Sequence, residues 1–163
     1  MKATGIVRRI DDLGRVVVPK EIRRILRIRE GDPLEIYTTA GGEIILKKYS
    51  PIGDMSQIAA EFAETASSIL GGTVAVSDTD AFIAASGKEK KQFGKEKIDP
   101  ELDHIIQSKD KFQSDQKLII PIVSQGDAIG SITILAAESK ALGEAERKAA
   151  EIGADFIAKQ IYN

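Results

Sequence analysis

The chain has 163 residues, 42% of them hydrophobic, with 23 Lys and Arg against 25 Asp and Glu for a net charge of −2, which is enough for one ordinary domain or two small ones with modest cores. There is no cysteine, so disulfides, thiolate metal ligands and a thiol nucleophile are excluded and a reducing, intracellular compartment fits best. No apolar run approaches the roughly 20 residues that span a bilayer, and the N-terminal stretch turns charged too early for a secretion signal, so a soluble, cytoplasmic protein with no membrane contact is expected.

The average charge hides a division. Residues 1–50 carry 11 basic against 7 acidic side chains (+4), whereas residues 51–163 carry 12 against 18 (−6). Up to Arg29 the ratio is 9 to 3, the local asymmetry a nucleic-acid footprint leaves. In this segment Gly5–Ile10 alternate loosely and predict a short strand. Asp11, Asp12 and Gly14 predict a reversal into a second strand of Arg15 and Val16–Val18. Pro19 ends that pairing, because it lacks an N–H, and suits the first turn of a helix. Ile22, Ile25 and Leu26 fall at helical spacing and form a narrow apolar stripe, with Arg23, Arg24 and Arg27 pointing away from it. Gly31 closes the helical region. Leu34 and Ile36 alternate with Glu35 and Tyr37, Gly41-Gly42 make a turn, and Glu43–Lys48 return as the second strand of a pair, with Lys47 and Lys48 as surface residues.

A unit of this size has too little apolar surface to stand alone. With no cysteine for a disulfide or thiolate metal site, dimerisation is the remaining route to stability. Its residues, from "TGIVR" through "LGRVVVPKE" to "GDPLEIY" and "GEIILKKY", resemble the DNA-binding domain of the AbrB-type transition-state regulators. The resemblance implies a swapped-hairpin β-barrel dimer that binds double-stranded DNA through Arg8, Arg9, Arg15, Arg23 and Arg24. Arg9 stands where the family can carry lysine, a change that keeps charge and alters hydrogen-bond geometry. A structural alternative holds for Arg8, which shares a strand face with Ile6 and Ile10 and could brace the turn on Asp11 or Asp12.

Residues 51–54 read as a short linker between domains 1–50 and 55–163. Met55, Ile58, Ala59, Phe62, Ala66, Ile69 and Leu70 then follow helical spacing until Gly71-Gly72 stop the run. Two strands, a lysine-rich loop, a short helix near Pro100, two further strands from Lys117 and a helix from Gly143 complete the chain. Ala149, Ile152, Phe156, Ile157 and Ile161 make the last helix's apolar side. This order suits an α+β fold with a GAF- or PAS-type antiparallel sheet and flanking helices. An AbrB-like head joined to a GAF-like domain resembles the transcription regulators of endospore-forming bacteria. The resemblance implies a sporulation regulator, activator or repressor, that dimerises through residues 1–50 and pairs dimers into a tetramer through the C-terminal helices. It also implies an unidentified small-molecule effector at the C-terminal domain, although the loop between the middle strands is short for the family.

No catalytic constellation emerges. His104 is the only histidine, its neighbour Asp103 faces another way on a helix, and no phosphate-binding loop motif is present. The expectation is a non-enzyme with no cofactor and no metal. Two rivals to the regulator remain at this level: a small-molecule sensor whose N-terminal part only dimerises it, and an antitoxin-like module. An antitoxin would more naturally end in a disordered tail.

Overall fold

The computed structural model describes residues 2–94 and 97–161. They divide into two compact units, residues 1–49 and 50–163.

In the first unit Pro19 sets up helix α1, Lys20–Leu26, and the Arg23 amide donates to the Pro19 carbonyl at 3.0 Å. The helix ends where Arg27 adopts a left-handed conformation and its N–H donates to the Arg23 and Arg24 carbonyls, an αL-type stop. Strands β1, Leu34–Thr38, and β2, Ile44–Lys48, form an antiparallel pair in which Ile36 faces Leu46 and Thr38 faces Ile44. The other expected pair is not formed. Residues 5–10 and 15–18 are joined by a reversal but make no strand ladder with each other. The reason is burial: Val7 is 85% and Val17 70% exposed, and a two-stranded ribbon with neither face covered is marginal in water. The α1 stripe is uncovered too, with Ile25 67% and Leu26 53% exposed. Among residues 2–49 none is buried.

The second unit holds a full core. Residues 51–54, expected as a linker, instead belong to it, since Ile52 is completely buried within its main apolar cluster. Helix α2 runs Ser56–Leu70 and stops at Gly71. Strands β3, Thr73–Ser77, and β4, Phe82–Ser86, follow, then a 3-10 turn at Lys90–Phe93 and helix α3, Pro100–Ser108. The Asp99 carboxylate caps α3 by accepting the Leu102 amide at 2.8 Å, the usual stabilising choice at that position. Strands β5 (Phe112–Gln113), β6 (Lys117–Ser124) and β7 (Asp127–Leu135) precede helix α4, Glu144–Gln160.

The five strands form one antiparallel sheet in the order β4-β3-β7-β6-β5. Side chains alternate across it. Val74, Val76, Leu118, Ile120, Ile132 and Ile134 pack with α2 and α4, whereas Ile119 packs with Ile98, Leu102, Ile105 and Ile106 around α3. The helices meet the sheet through small residues, Ala59, Ala63 and Ala66 of α2 and Ala150, Gly153 and Ala154 of α4. A Cβ at Gly153 would collide with the Phe62 ring, so the close approach of α2 and α4 requires glycine there. The predicted apolar sides of both helices are corrected in one respect. Ile69, Ile152 and Phe156 lie outside the core, 78%, 69% and 52% exposed.

Candidate nucleic-acid interface

The reversal between residues 11 and 15 is built by one carboxylate. Asp11 Oδ1 accepts the amides of Leu13 at 2.9 Å and Arg15 at 2.8 Å, and Oδ2 accepts Arg15 Nε at 2.7 Å. Backbone bonds from Asp11 to the Arg15 carbonyl and from Gly14 to the Asp11 carbonyl, each 3.0 Å, close the loop, with Gly14 at φ 76° supplying the left-handed residue such a turn needs. The Arg15 amide and then its guanidinium hold the Asp11 carboxyl below its ordinary value, because both stabilise the charged form.

The structure therefore gives the bracing role to Arg15 and not to Arg8. Arg8 donates through Nη1 to the carbonyl of its own neighbour Val7 at 3.1 Å and is exposed. Arg9 and Arg24 are exposed and make no side-chain hydrogen bond or ion pair with any described residue. Arg23 is exposed and donates through Nε to the Val18 carbonyl at 3.1 Å, which ties the start of α1 to the arm before it. Of the five arginines, four thus carry no carboxylate among the described residues. The fifth, Arg15, is only 68% exposed at its side chain and shares its charge with Asp11.

Arg27, Arg29 and Lys48 are the other cations drawn into the head's own packing, whereas Lys2, Lys20 and Lys47 are exposed. Arg27 and Arg29 are half-buried, and the Arg29 amide donates to Asp32 Oδ2 at 2.8 Å. Lys48 departs from the plain surface role expected of it: Nζ donates to the Arg27 carbonyl at 2.9 Å and lies 3.7 Å from Asp32 Oδ2, fastening β2 to the end of α1. Periodicity has no signal for that tie, which spans 21 positions.

Between the arms, α1 and the β1–β2 pair lies an open groove of about 330 Å3, walled by Ile6, Val16, Val18, Ile22, Leu26 and Leu34. In the second unit His104 stands exposed on α3.

The profile of a family described as stage V sporulation protein T C-terminal, transcription factor, matches residues 54–162. That of antidote-toxin recognition MazE, bacterial antitoxin, matches residues 7–54. The chain is 46% identical over 177 aligned positions to stage V sporulation protein T of Bacillus subtilis, covering 99% of both chains. It is 47% identical over 81 positions to the transition state regulatory protein AbrB of the same organism, covering 50% of this chain and 82% of that one. In fold it is similar to the GAF domain of a phosphoenolpyruvate-protein phosphotransferase from Coxiella burnetii, with a TM-score of 0.55 at 18% identity over 66% of this chain and 82% of that one.

Proposed function

The chain belongs to the stage V sporulation protein T family, and from that premise we propose that it is a sporulation-linked transcription regulator. Residues 1–49 bind double-stranded DNA as a homodimer, in the cytoplasm at the nucleoid. The second unit joins dimers and is where a small-molecule effector acts. The observation that carries the DNA reading is the set Arg8, Arg9, Arg23 and Arg24, exposed and without a carboxylate partner among the described residues in a chain that is acidic overall.

Dimerisation is supported by what the head lacks. A unit without one buried residue among 2–49 cannot offset its own chain entropy. A second copy whose arms enter the groove beside Val16, Val18 and Leu26 covers that apolar surface and doubles the arginine set by symmetry.

The mechanism needs no bond chemistry. Guanidinium groups replace condensed counterions on the phosphates, and their release drives binding. At seven residues, α1 spans only about 10 Å, so sequence preference rests on arginine forks to base edges and on DNA shape more than on a long recognition helix. Arg15 is held in one orientation by Asp11 and so meets DNA with less side-chain entropy to lose. The antitoxin reading has the profile match to residues 7–54 in its favour, but here the remainder is a folded five-stranded domain, unlike a wrapping tail.

Fluorescence-anisotropy titration of the full chain onto duplex DNA tests the proposal. Arg23→Ala and Arg24→Ala should each weaken binding by about tenfold, a phosphate-contact magnitude, with unchanged circular dichroism. Unchanged affinity in both variants would remove the assignment.

A further inference from the structure

Strand β4 is an edge of the second unit's sheet, and among the described residues it is paired on one side only, with β3. Natural edges are usually guarded by charge, proline or a bulge on the free side. The β4 sequence Phe82-Ile83-Ala84-Ala85-Ser86 has neither charge nor proline. Its one irregularity is a bulge at Ile83, where the pairing steps from Val76–Ala84 to Ser77–Phe82, which leaves Ala84–Ser86 as the regular stretch of the edge. A groove of about 230 Å3 runs beside it, walled by Phe82, Ile83, Ala84 and Ala85 together with Lys90 and Phe93. Four consecutive residues of the strand line this groove, so it runs along the length of β4. At the near end the chain itself begins to pair this edge: Ala81 forms a single antiparallel bridge with Lys97, and the Ile98 amide donates to the Asp80 carbonyl at 2.9 Å. The chain then leaves for α3.

The surroundings select the charge of an occupant. Residues 88–97 hold 5 lysines against 2 glutamates, +3, in a domain whose other residues sum to −9. Lys88 is spent on Glu138 at 2.8 Å, but Lys90, Lys91 and Lys97 are exposed and make no ion pair with a described residue. Phe93 packs edge-on against Phe82 with ring centroids 4.8 Å apart, which fixes the lysine-bearing turn beside the groove.

We propose that β4 is a docking edge for an extended acidic peptide of a partner protein. The peptide adds antiparallel as a sixth strand, its backbone pairing with Phe82–Ser86, its apolar side chains on the Ile83 side and its carboxylates toward Lys90 and Lys91. A second copy of this chain is disfavoured as the occupant, because pairing β4 with β4 would bring two lysine clusters together. The proposal is independent of the DNA-binding reading.

The test uses the full chain and two fluorescein-labelled, N-acetylated octapeptides, one alternating valine with glutamate, the other valine with lysine. The glutamate peptide should bind and slow amide hydrogen exchange within residues 82–86. The lysine peptide should do neither. The double variant K90E/K91E, altered only at exposed side chains, should bind the glutamate peptide about tenfold more weakly. Absence of binding, binding without protection in β4, equal affinity for both peptides, or full protection of 82–86 in the free protein would each overturn the proposal, the last by showing that the edge is already paired.

Discussion

Asp11 holds Arg15 twice, accepting its backbone N–H at 2.8 Å on one carboxylate oxygen and its Nε at 2.7 Å on the other. A single acidic residue therefore shapes the turn and fixes the orientation of the Arg15 guanidinium. Because these donors depress the Asp11 carboxyl below its ordinary value of 3.8, its contribution is present in full above that value and is lost as pH falls through the lower folded-state value. The Arg15 amide resonance, followed against pH, should titrate with a midpoint below 3.8. A midpoint at or above that value would mean the two bonds do not persist in solution. In Asp11→Ala the Leu13 and Arg15 amides should exchange faster, with the rest of the chain unchanged.

Glu146 supplies a second acid-sensitive point, this one in the second unit. Its carboxylate is buried at the start of α4, where Oε2 accepts the Gly143 amide at 2.9 Å and Lys140 lies 3.6 Å from Oε1. The backbone bonds at the helix start, followed by Lys140, hold its pKa below the ordinary 4.5. Its stabilisation is thus complete above 4.5 and disappears as pH falls through the lower folded value. Glu146→Gln keeps an acceptor for the Gly143 amide but removes the negative charge that strengthens that bond and faces Lys140, and should cost about 1 kcal/mol near neutrality. The difference from the parent should close in thermal melts recorded below the folded-state pKa. A gap that persists there would assign the loss to packing.

Gly153 and the Phe62 ring leave no space for a methyl group between α4 and α2. Gly153→Ala should destabilise the second unit by about 1 to 3 kcal/mol through overpacking, read as a lowered denaturant midpoint. Single-site DNA affinity, a property of the head, should be unchanged.

Ile152 and Phe156 form an exposed apolar pair one helical turn apart on α4. If that face joins dimers, Phe156→Asp should reduce the sedimenting species from tetramer to dimer. Affinity for DNA carrying two sites should fall by up to about 10² to 10⁴, the avidity a second tethered head supplies, while single-site affinity stays constant. An unchanged sedimentation coefficient would move the assembly surface elsewhere.

Local chemistry carried much of this fold into the sequence. Pro19 at the start of α1, Gly71 at the end of α2 and Asp99-Pro100 at the start of α3 act on their immediate neighbours, and each stands where its residue type dictates. What was not legible depends on a partner across space. Ile69, Ile152 and Phe156 satisfy helical periodicity as well as the buried alanines do, and only the close packing on the sheet separates the two stripes. Arg8 and Arg15 lie three and four residues from Asp11, and the direction of the reversal decides which one it binds. Ile52 sits in a turn-forming stretch, yet it fills the core of the second unit. The arms of the head have the β-branched residues of strands but, within one chain, no surface to cover them. For the site, residue type and exposure were readable, whereas the tie from Lys48 to the end of α1 was not.

The central claim is that the exposed arginines of residues 1–49 bind DNA phosphates, and the salt dependence of affinity tests it most directly. If a dimer neutralises about six to ten phosphates, the logarithm of the association constant should fall linearly with the logarithm of salt concentration, with a slope of about −5 to −9. Between about 50 and 200 mM salt the full chain should then lose about 10³ to 10⁵ in affinity for duplex DNA, and the slope should become shallower in the variant with Arg23 and Arg24 both replaced by alanine. A slope near zero, or one that the double replacement leaves unchanged, would contradict the account.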